Sequence, residues 1–176
     1  MRINFFCLMM AVIYFCVVPK LYSADFSGIL HQEAQKMADA MTQDDFETVA
    51  TYTLPLVVNM TGGKDKMIEI MKTGSIQMKQ EGFSFDSVII GTPAQAIDIN
   101  GKLYALVPEN VKMKAPGGIL QGESYLMAIS EDHGNSWYFM DTAGLTDEQR
   151  LKKILPDIVG KIEIPKPQKS IFIPNR

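Results

Sequence analysis

Residues 94–107 read AQAIDINGKLYALV, and this stretch decides the fold. Asn100-Gly101 at its centre favours a two-residue type I′ turn, because both turn positions need a positive φ angle. The flanking residues then pair as antiparallel strands, with Ile97 opposite Tyr104. Apolar side chains occupy both faces of this hairpin, so each face must be covered by something else.

Further strands are predicted around the hairpin. Alternating or β-branched apolar runs lie between turn residues, as is typical of an antiparallel meander. The predicted strands are residues 83–90, 94–99, 102–107, 111–114, 119–130 and 136–141. Helices can cover one face of such a sheet. The other face needs sheet curvature, a ligand or a second subunit.

The N-terminal part of the chain has the helical period instead. Apolar residues recur three and four positions apart over residues 25–41, which predicts a first helix. A shorter second helix follows and is ended by Pro55. Residues 56–60 are predicted to be briefly extended, and a third helix runs from the next glycine turn to Gly82.

The C-terminal part is predicted to form one short helix and an extended tail. Thr146-Asp147-Glu148-Gln149 has the capping-box spacing that starts a helix. Prolines and lysines from residue 162 onward favour an extended surface segment. The expected fold class is therefore α+β, with N-terminal helices packed on a mostly antiparallel sheet.

The start of the chain predicts export. Residues 5–18 are unbroken apolar, too short a run for a membrane span of about 20 residues, and Pro19 and Lys20 end it. We expect a periplasmic or secreted protein with no stable membrane anchor after cleavage. The expected organisation is a signal peptide over residues 1–23, a single domain over residues 24–160 and a proline-containing tail over residues 161–176.

Composition excludes several kinds of chemistry. Both cysteines, Cys7 and Cys16, lie in the predicted signal peptide, so the mature chain would have no thiol or disulfide. The remaining histidines, His31 and His133, are far apart in the sequence, so neither a metal nor another cofactor is expected. The chain has 20 acidic against 17 basic residues and little arginine, which argues against a nucleic-acid partner.

Residues 130–137, SEDHGNSW, fit the Asp-box pattern S-x-D-x-G-x-x-W. In such a hairpin the aspartate binds the turn backbone, the glycine takes a positive φ and the aromatic ring packs on a neighbouring strand. Ser130, Asp132, Gly134 and Trp137 are therefore predicted to hold a hairpin together, without a catalytic role.

Six residues are candidates for lining a ligand pocket, because aromatic rings and thioethers offer adaptable apolar surface. They are Glu33, Tyr52, Met71, Tyr104, Met113 and Tyr125. Glu33 is included because helical geometry places it beside the apolar stripe of the first helix, where burial would raise its pKa. An ion pair with Lys36, one turn further on, is the favoured alternative for Glu33.

The order of elements is informative beyond the single motifs. Two helices end in YTLP at residues 52–55, TGGKDKM follows at residues 61–67, and the meander ends in SWYF at residues 136–139. This order resembles the nuclear transport factor 2-like superfamily, and residues 61–67 and 130–141 resemble small exported bacterial members without an assigned function. The resemblance implies a conical half-barrel, in which a strongly curved sheet wraps around helices and an open apolar pocket, and frequent dimerisation.

We therefore expect a non-enzymatic exported protein that binds a small apolar or amphipathic ligand in a conical pocket. A homodimer through the outer sheet face is expected as well. One alternative is a cofactor-free isomerase, dehydratase or hydrolase, with Glu33 or Asp98 as the base. Tyr52 or Tyr104 would then be the hydrogen-bond donor. Another is a structural module that binds a protein partner.

Overall fold

The computed structural model describes residues 25–145, 147–166 and 168–175. The predicted signal peptide with both cysteines lies outside these residues, as do Thr146, Pro167 and Arg176. The helices are α1 (Ser27–Thr42), α2 (Phe46–Tyr52), α3 (Pro55–Met60), α4 (Lys64–Gln80) and α5 (Glu148–Ile154). The strands are β1 (Ser84–Ile90), β2 (Ile97–Ile99), β3 (Lys102–Ala115), β4 (Gly118–Ser130), β5 (Tyr138–Asp141) and β6 (Ile171–Pro174). Within the described ranges no helix is both long enough and apolar enough to span a bilayer.

All six strands join one antiparallel sheet that is not closed into a barrel, so the predicted α+β class is confirmed. Its centre is the long β3–β4 hairpin, paired from Leu103 opposite Ser130 to Ala115 opposite Gly118. β2 and β1 pair with the outer edge of β3, and β5 and β6 pair with the outer edge of β4. We call the end of the sheet that contains β1 and β6 the distal half.

The Asn100-Gly101 turn forms as the sequence predicts. Both residues have positive φ, 58° and 81° respectively. Ile97 lies opposite Tyr104, so the register derived from the turn is confirmed.

Helix α1 covers one face of the sheet. Leu30, Ala34 and Ala38 are buried against Val107 and Phe139, and the two small alanines let the helix lie close to the strands. α1 also protects the open edge of β1. The Gln35 amide donates to the Val88 carbonyl at 3.0 Å and accepts from the Ile90 N–H at 3.1 Å, as a neighbouring strand would.

The opposite face is covered by the chain's own C-terminal segment over the half of the sheet near the Asn100-Gly101 turn. Tyr104, Met127 and Ile129 are buried there against Leu155 and Ile158. A ligand or a second subunit is therefore not needed at this place. In the distal half, large apolar side chains on the same face stay exposed: Ile89, Ile171 and Ile173.

Two elements differ from the expectation because proline is tolerated at particular positions. Residues 56–60 are helical rather than extended, since Pro55 is the first residue of α3, where a helix does not use the missing N–H. β3 is continuous across residues 108–110, where a break between two strands was predicted. Pro108 faces the gap between β1 and β2, so no ladder hydrogen bond is lost.

The C-terminal expectations also need correction. The cap of α5 is Asp147, whose carboxylate accepts the Arg150 N–H at 2.8 Å. The tail is not only a surface segment, because β6 pairs with residues 118–121 of β4. Gly118 makes this approach possible, since a Cβ there would lie 2.2 Å from the Ile173 carbonyl oxygen.

Candidate functional site

A cavity of about 270 Å³ lies between the end of α1, α4 and the start of β1, in the distal half of the molecule. Its wall is formed by methionine and phenylalanine side chains, and we call it the Met–Phe cavity. The apolar lining residues are Met41, Phe46, Met71, Met78, Phe83 and Phe85. Polar side chains, among them Asp44, Ser75 and Lys79, also belong to the lining. The arrangement can hold an apolar body with a polar end.

Local sequence explains how these side chains meet. Met71, Gly74 and Met78 are spaced three and four residues apart in α4, so they share one helical face. Phe46 packs beneath this face in a small buried cluster. Gly82 has a φ of 84°, which turns the chain from α4 back into β1 and brings Phe85 to the cavity.

The polar lining residues form a link between α4 and the connection from α1 to α2. Asp44 lies in that connection with a positive φ of 57°. Its carboxylate accepts a hydrogen bond from the Ser75 hydroxyl at 2.7 Å and forms an ion pair with the Lys79 ammonium. Lys79 is the main cause, and Ser75 the next, of a lowered pKa of Asp44. The two charges of the lining therefore compensate each other.

Of the six pocket candidates, Met71 alone lines the Met–Phe cavity. Tyr104 is buried between two smaller cavities of about 220 and 140 Å³, and its hydroxyl lies 3.3 Å from the Asp157 carboxylate. Burial first, and then Asp157, raises the pKa of Tyr104 to about 12. Tyr125 lines a cavity of about 240 Å³ whose other lining residues belong mainly to β1, β3 and β4. Met113 pairs with Phe85 without belonging to the lining.

Glu33 and Tyr52 are brought together by the fold. The Tyr52 hydroxyl donates to one Glu33 carboxylate oxygen at 2.7 Å, and Lys36 binds the other oxygen at 2.7 Å. The predicted ion pair of Glu33 with Lys36 is thus confirmed. Lys36 is the main cause of a lowered pKa of Glu33, whereas burial and then Glu33 raise the pKa of Tyr52 to about 12. Glu33 therefore stays ionised and Tyr52 stays protonated at neutral pH, which suits a structural contact better than proton transfer.

The other proposed base, Asp98, is exposed at the Asn100-Gly101 turn. Its carboxylate accepts the Gly101 N–H at 2.9 Å. Asp98 pairs with Leu103, so its side chain lies on the opposite face of the sheet from that of Tyr104. The structure does not bring these two residues together.

The Asp-box residues form one hydrogen-bonded hairpin. The Asp132 carboxylate accepts from the Ser130 hydroxyl and from the Ser136 N–H, each at 2.8 Å. Gly134 has a positive φ of 92°, and its carbonyl accepts from the Trp137 indole at 3.2 Å. The Ser136 backbone N–H is the largest cause that lowers the pKa of Asp132 to about 2. All these contacts are local to the hairpin.

Glu109 is a residue that the sequence reasoning missed. It lies on the α1-facing side of β3, opposite Ser124, and is partly buried. Burial first, and then the nearby Asp141 carboxylate, raises the pKa of Glu109 to about 7, against a smaller opposing effect of Ser124. Reading the strand alternation through Pro108 would have placed Glu109 on this face.

Comparison with known proteins gives no further identification, since no family model, curated protein or solved structure matches the chain. Nor does the described part of the chain contain three or more acidic or histidine side chains grouped so that they could hold a metal ion.

Proposed function

We propose that the protein binds a small apolar or amphipathic molecule in the Met–Phe cavity. The observation that carries this proposal is an open cavity with methionine and phenylalanine walls drawn from separate elements, α1, α2, α4 and the start of β1. Methionine walls adapt to ligand shape at little cost, because the thioether side chain is flexible and polarizable. Such a cavity suits a binding protein.

The volume limits the size of the ligand. A buried cavity of about 150 Å³ in another protein admits benzene, and drug-sized pockets begin near 300 Å³. At the volume per heavy atom that benzene has in that cavity, the Met–Phe cavity of about 270 Å³ fits a molecule of roughly ten heavy atoms. One or two rings, or a medium-length alkyl chain, meet this requirement.

Gly74 allows a direct test of the site. It lines the cavity, and a Cβ at this position would have open space around it. Gly74→Leu should therefore fill part of the cavity while favouring the helix, and the control Gly74→Ala should favour the helix without filling it.

We expect compounds of about ten heavy atoms to raise the melting temperature of the wild type and of Gly74→Ala. Gly74→Leu should bind them at least tenfold more weakly in calorimetric titration, although its melting temperature without ligand is not lower. If an alkyl and aromatic panel gives no thermal shift with the wild type, or if Gly74→Leu binds equally well, the proposed site is wrong.

The catalytic alternative rests on the 2.7 Å contact between Glu33 and Tyr52. A carboxylate with a lowered pKa is a weaker base, and the Tyr52 proton is already engaged. We therefore favour binding over catalysis.

The broader expectations belong to the same proposal. We propose a conically curved sheet of the nuclear transport factor 2-like type, and the support for it is that N-terminal helices precede a mostly antiparallel sheet. Export to the periplasm or the medium is proposed from residues 1–23, and N-terminal sequencing of the protein recovered from a periplasmic fraction tests it. A homodimer is proposed because apolar side chains remain exposed on the distal half of the sheet.

A further inference from the structure

The polar lining residues contain more information about the ligand than the apolar wall does. The two charged residues of the lining, Asp44 and Lys79, form an ion pair with each other. Asp44 also holds the Ser75 hydroxyl at 2.7 Å. The cavity thus has hydrogen-bonding groups of both kinds but no net charge in its lining.

A charged head group gains little at such a place. A carboxylate would be attracted by Lys79 and repelled by Asp44 at similar distances, and an ammonium group would meet the reverse. The side chains of Lys79 and Asp44 are 51% and 39% exposed, so a head group beside them stays partly hydrated, and the pair gives neither kind of charge a net attraction. A carboxylate could accept an unused N–H of Lys79, and an ammonium could donate to Asp44, but in each case the other member of the ion pair would repel the ligand.

An uncharged hydroxyl meets neither obstacle. It can accept from an unused N–H of the Lys79 ammonium, which has three, and donate to an Asp44 carboxylate oxygen, which has lone pairs left. It also loses less hydration than an ion does. From this geometry we infer that the Met–Phe cavity selects an uncharged hydroxyl amphiphile of about ten heavy atoms over acids and amines with the same carbon skeleton.

This inference rests on the proposed function. A matched series of three ligands tests the selectivity and the proposed function separately. Octan-1-ol, octanoate and octylamine share one alkyl chain and differ in the head group. With the full chain at neutral pH and by calorimetric titration, octan-1-ol should bind at least tenfold more tightly than the other two. Equal or tighter binding of octanoate or octylamine overturns the selectivity while keeping the proposed function. Binding of none of the three refutes both.

Two variants test the physical cause by changing the charge of the lining. Asp44→Asn keeps an acceptor for Ser75 and suits the positive φ of this position, which asparagine tolerates. It leaves Lys79 unpaired, so the affinity for octanoate should rise at least tenfold relative to octan-1-ol. Lys79→Met leaves Asp44 unpaired and should raise the relative affinity for octylamine in the same way.

Lys72→Met is the matched control. Lys72 lies on an exposed part of α4 outside the cavity lining, and its replacement should leave the order of the three affinities unchanged. If the Asp44 and Lys79 variants keep the wild-type order as well, the charge balance of the lining does not select the ligand, and the inference is wrong.

Discussion

Glu109→Gln should stabilise the fold at neutral and alkaline pH and have no effect on stability at acid pH. The pKa of Glu109 is raised from its ordinary 4.5 to about 7, because the carboxylate is partly buried beside Asp141. A raised pKa means that the folded state holds the proton more tightly than the unfolded state. The contribution of Glu109 to stability is therefore greatest below pH 4.5 and is lost as the pH rises towards 7.

The size of the effect follows from the same values. A difference of about 2.5 pKa units corresponds to about 3 to 4 kcal/mol of unfolding free energy, at about 1.4 kcal/mol per unit. Glutamine has nearly the same shape and carries no charge at any pH, so it avoids this loss. Its new amide N–H groups need partners, and the Ser124 side chain that hydrogen-bonds Glu109 is one. We expect a gain of about 1 to 3 kcal/mol at pH 8 and about zero at pH 4.5.

Urea unfolding followed by circular dichroism at several pH values between 4.5 and 8 measures this difference directly. Glu163→Gln is the matched control, because Glu163 is exposed, and it should give no trend with pH. Asp141→Asn should reduce the gain from Glu109→Gln, since it removes one cause of the raised pKa. A loss of stability in Glu109→Gln at pH 8, or a change independent of pH, would refute the reasoning.

Two further predictions concern packing of the sheet. Gly134→Ala should cost about 2 to 4 kcal/mol, because its φ is 92° and its Cβ would lie 2.2 Å from the Phe26 ring. Gly101→Ala, with a similar φ and open space around the Cβ, is the control and should cost only about 1 to 2 kcal/mol in thermal unfolding; equal losses would contradict the contact. Gln35→Leu should cost about 1 to 3 kcal/mol by removing the hydrogen bonds to β1. Faster hydrogen exchange at the Ile90 amide should accompany this loss, and unchanged exchange would show that the edge is protected otherwise.

The features that sequence predicted well are set by neighbours in the chain. The Asn100-Gly101 turn fixes its register because two adjacent residues both take positive φ. α1 follows from apolar spacing over residues that all belong to one helix. β6 was missed because four exposed residues become a strand only when the distant edge of β4 is free and Gly118 leaves room.

The same limit applies to the candidate site. Met71 was predicted as a pocket residue from its chemistry alone, and it lines the Met–Phe cavity. Asp44 was not among the predicted pocket residues, and its neighbour Asp45 is the residue that caps α2, with its carboxylate accepting the Thr48 N–H at 3.2 Å. The ion pair of Asp44 with Lys79 joins residues that are far apart in the sequence, and no local sequence pattern predicts such a contact.

The position of the exposed apolar residues also indicates which part of the sheet would form the interface of the proposed homodimer. The outer face of the sheet is the one opposite α1. Near the Asn100-Gly101 turn the C-terminal segment already covers this face, so a second subunit has little apolar surface to contact there. In the distal half, Ile89, Ile171 and Ile173 lie on this same face and are 58%, 68% and 47% exposed. A dimer through the outer face should therefore use these three side chains.

Light scattering with and without a charge at this surface tests the location. Ile89→Lys should convert a dimer at micromolar concentration into a monomer, because burying an unpaired ammonium group against an apolar partner costs several kcal/mol. Ile76→Lys is the matched control, because Ile76 is 59% exposed on helix α4 and is not part of the sheet. If the Ile89→Lys variant is still a dimer, the interface lies elsewhere on the molecule. A monomeric wild type would show that the exposed isoleucines of the distal half have no partner in a second copy of the chain.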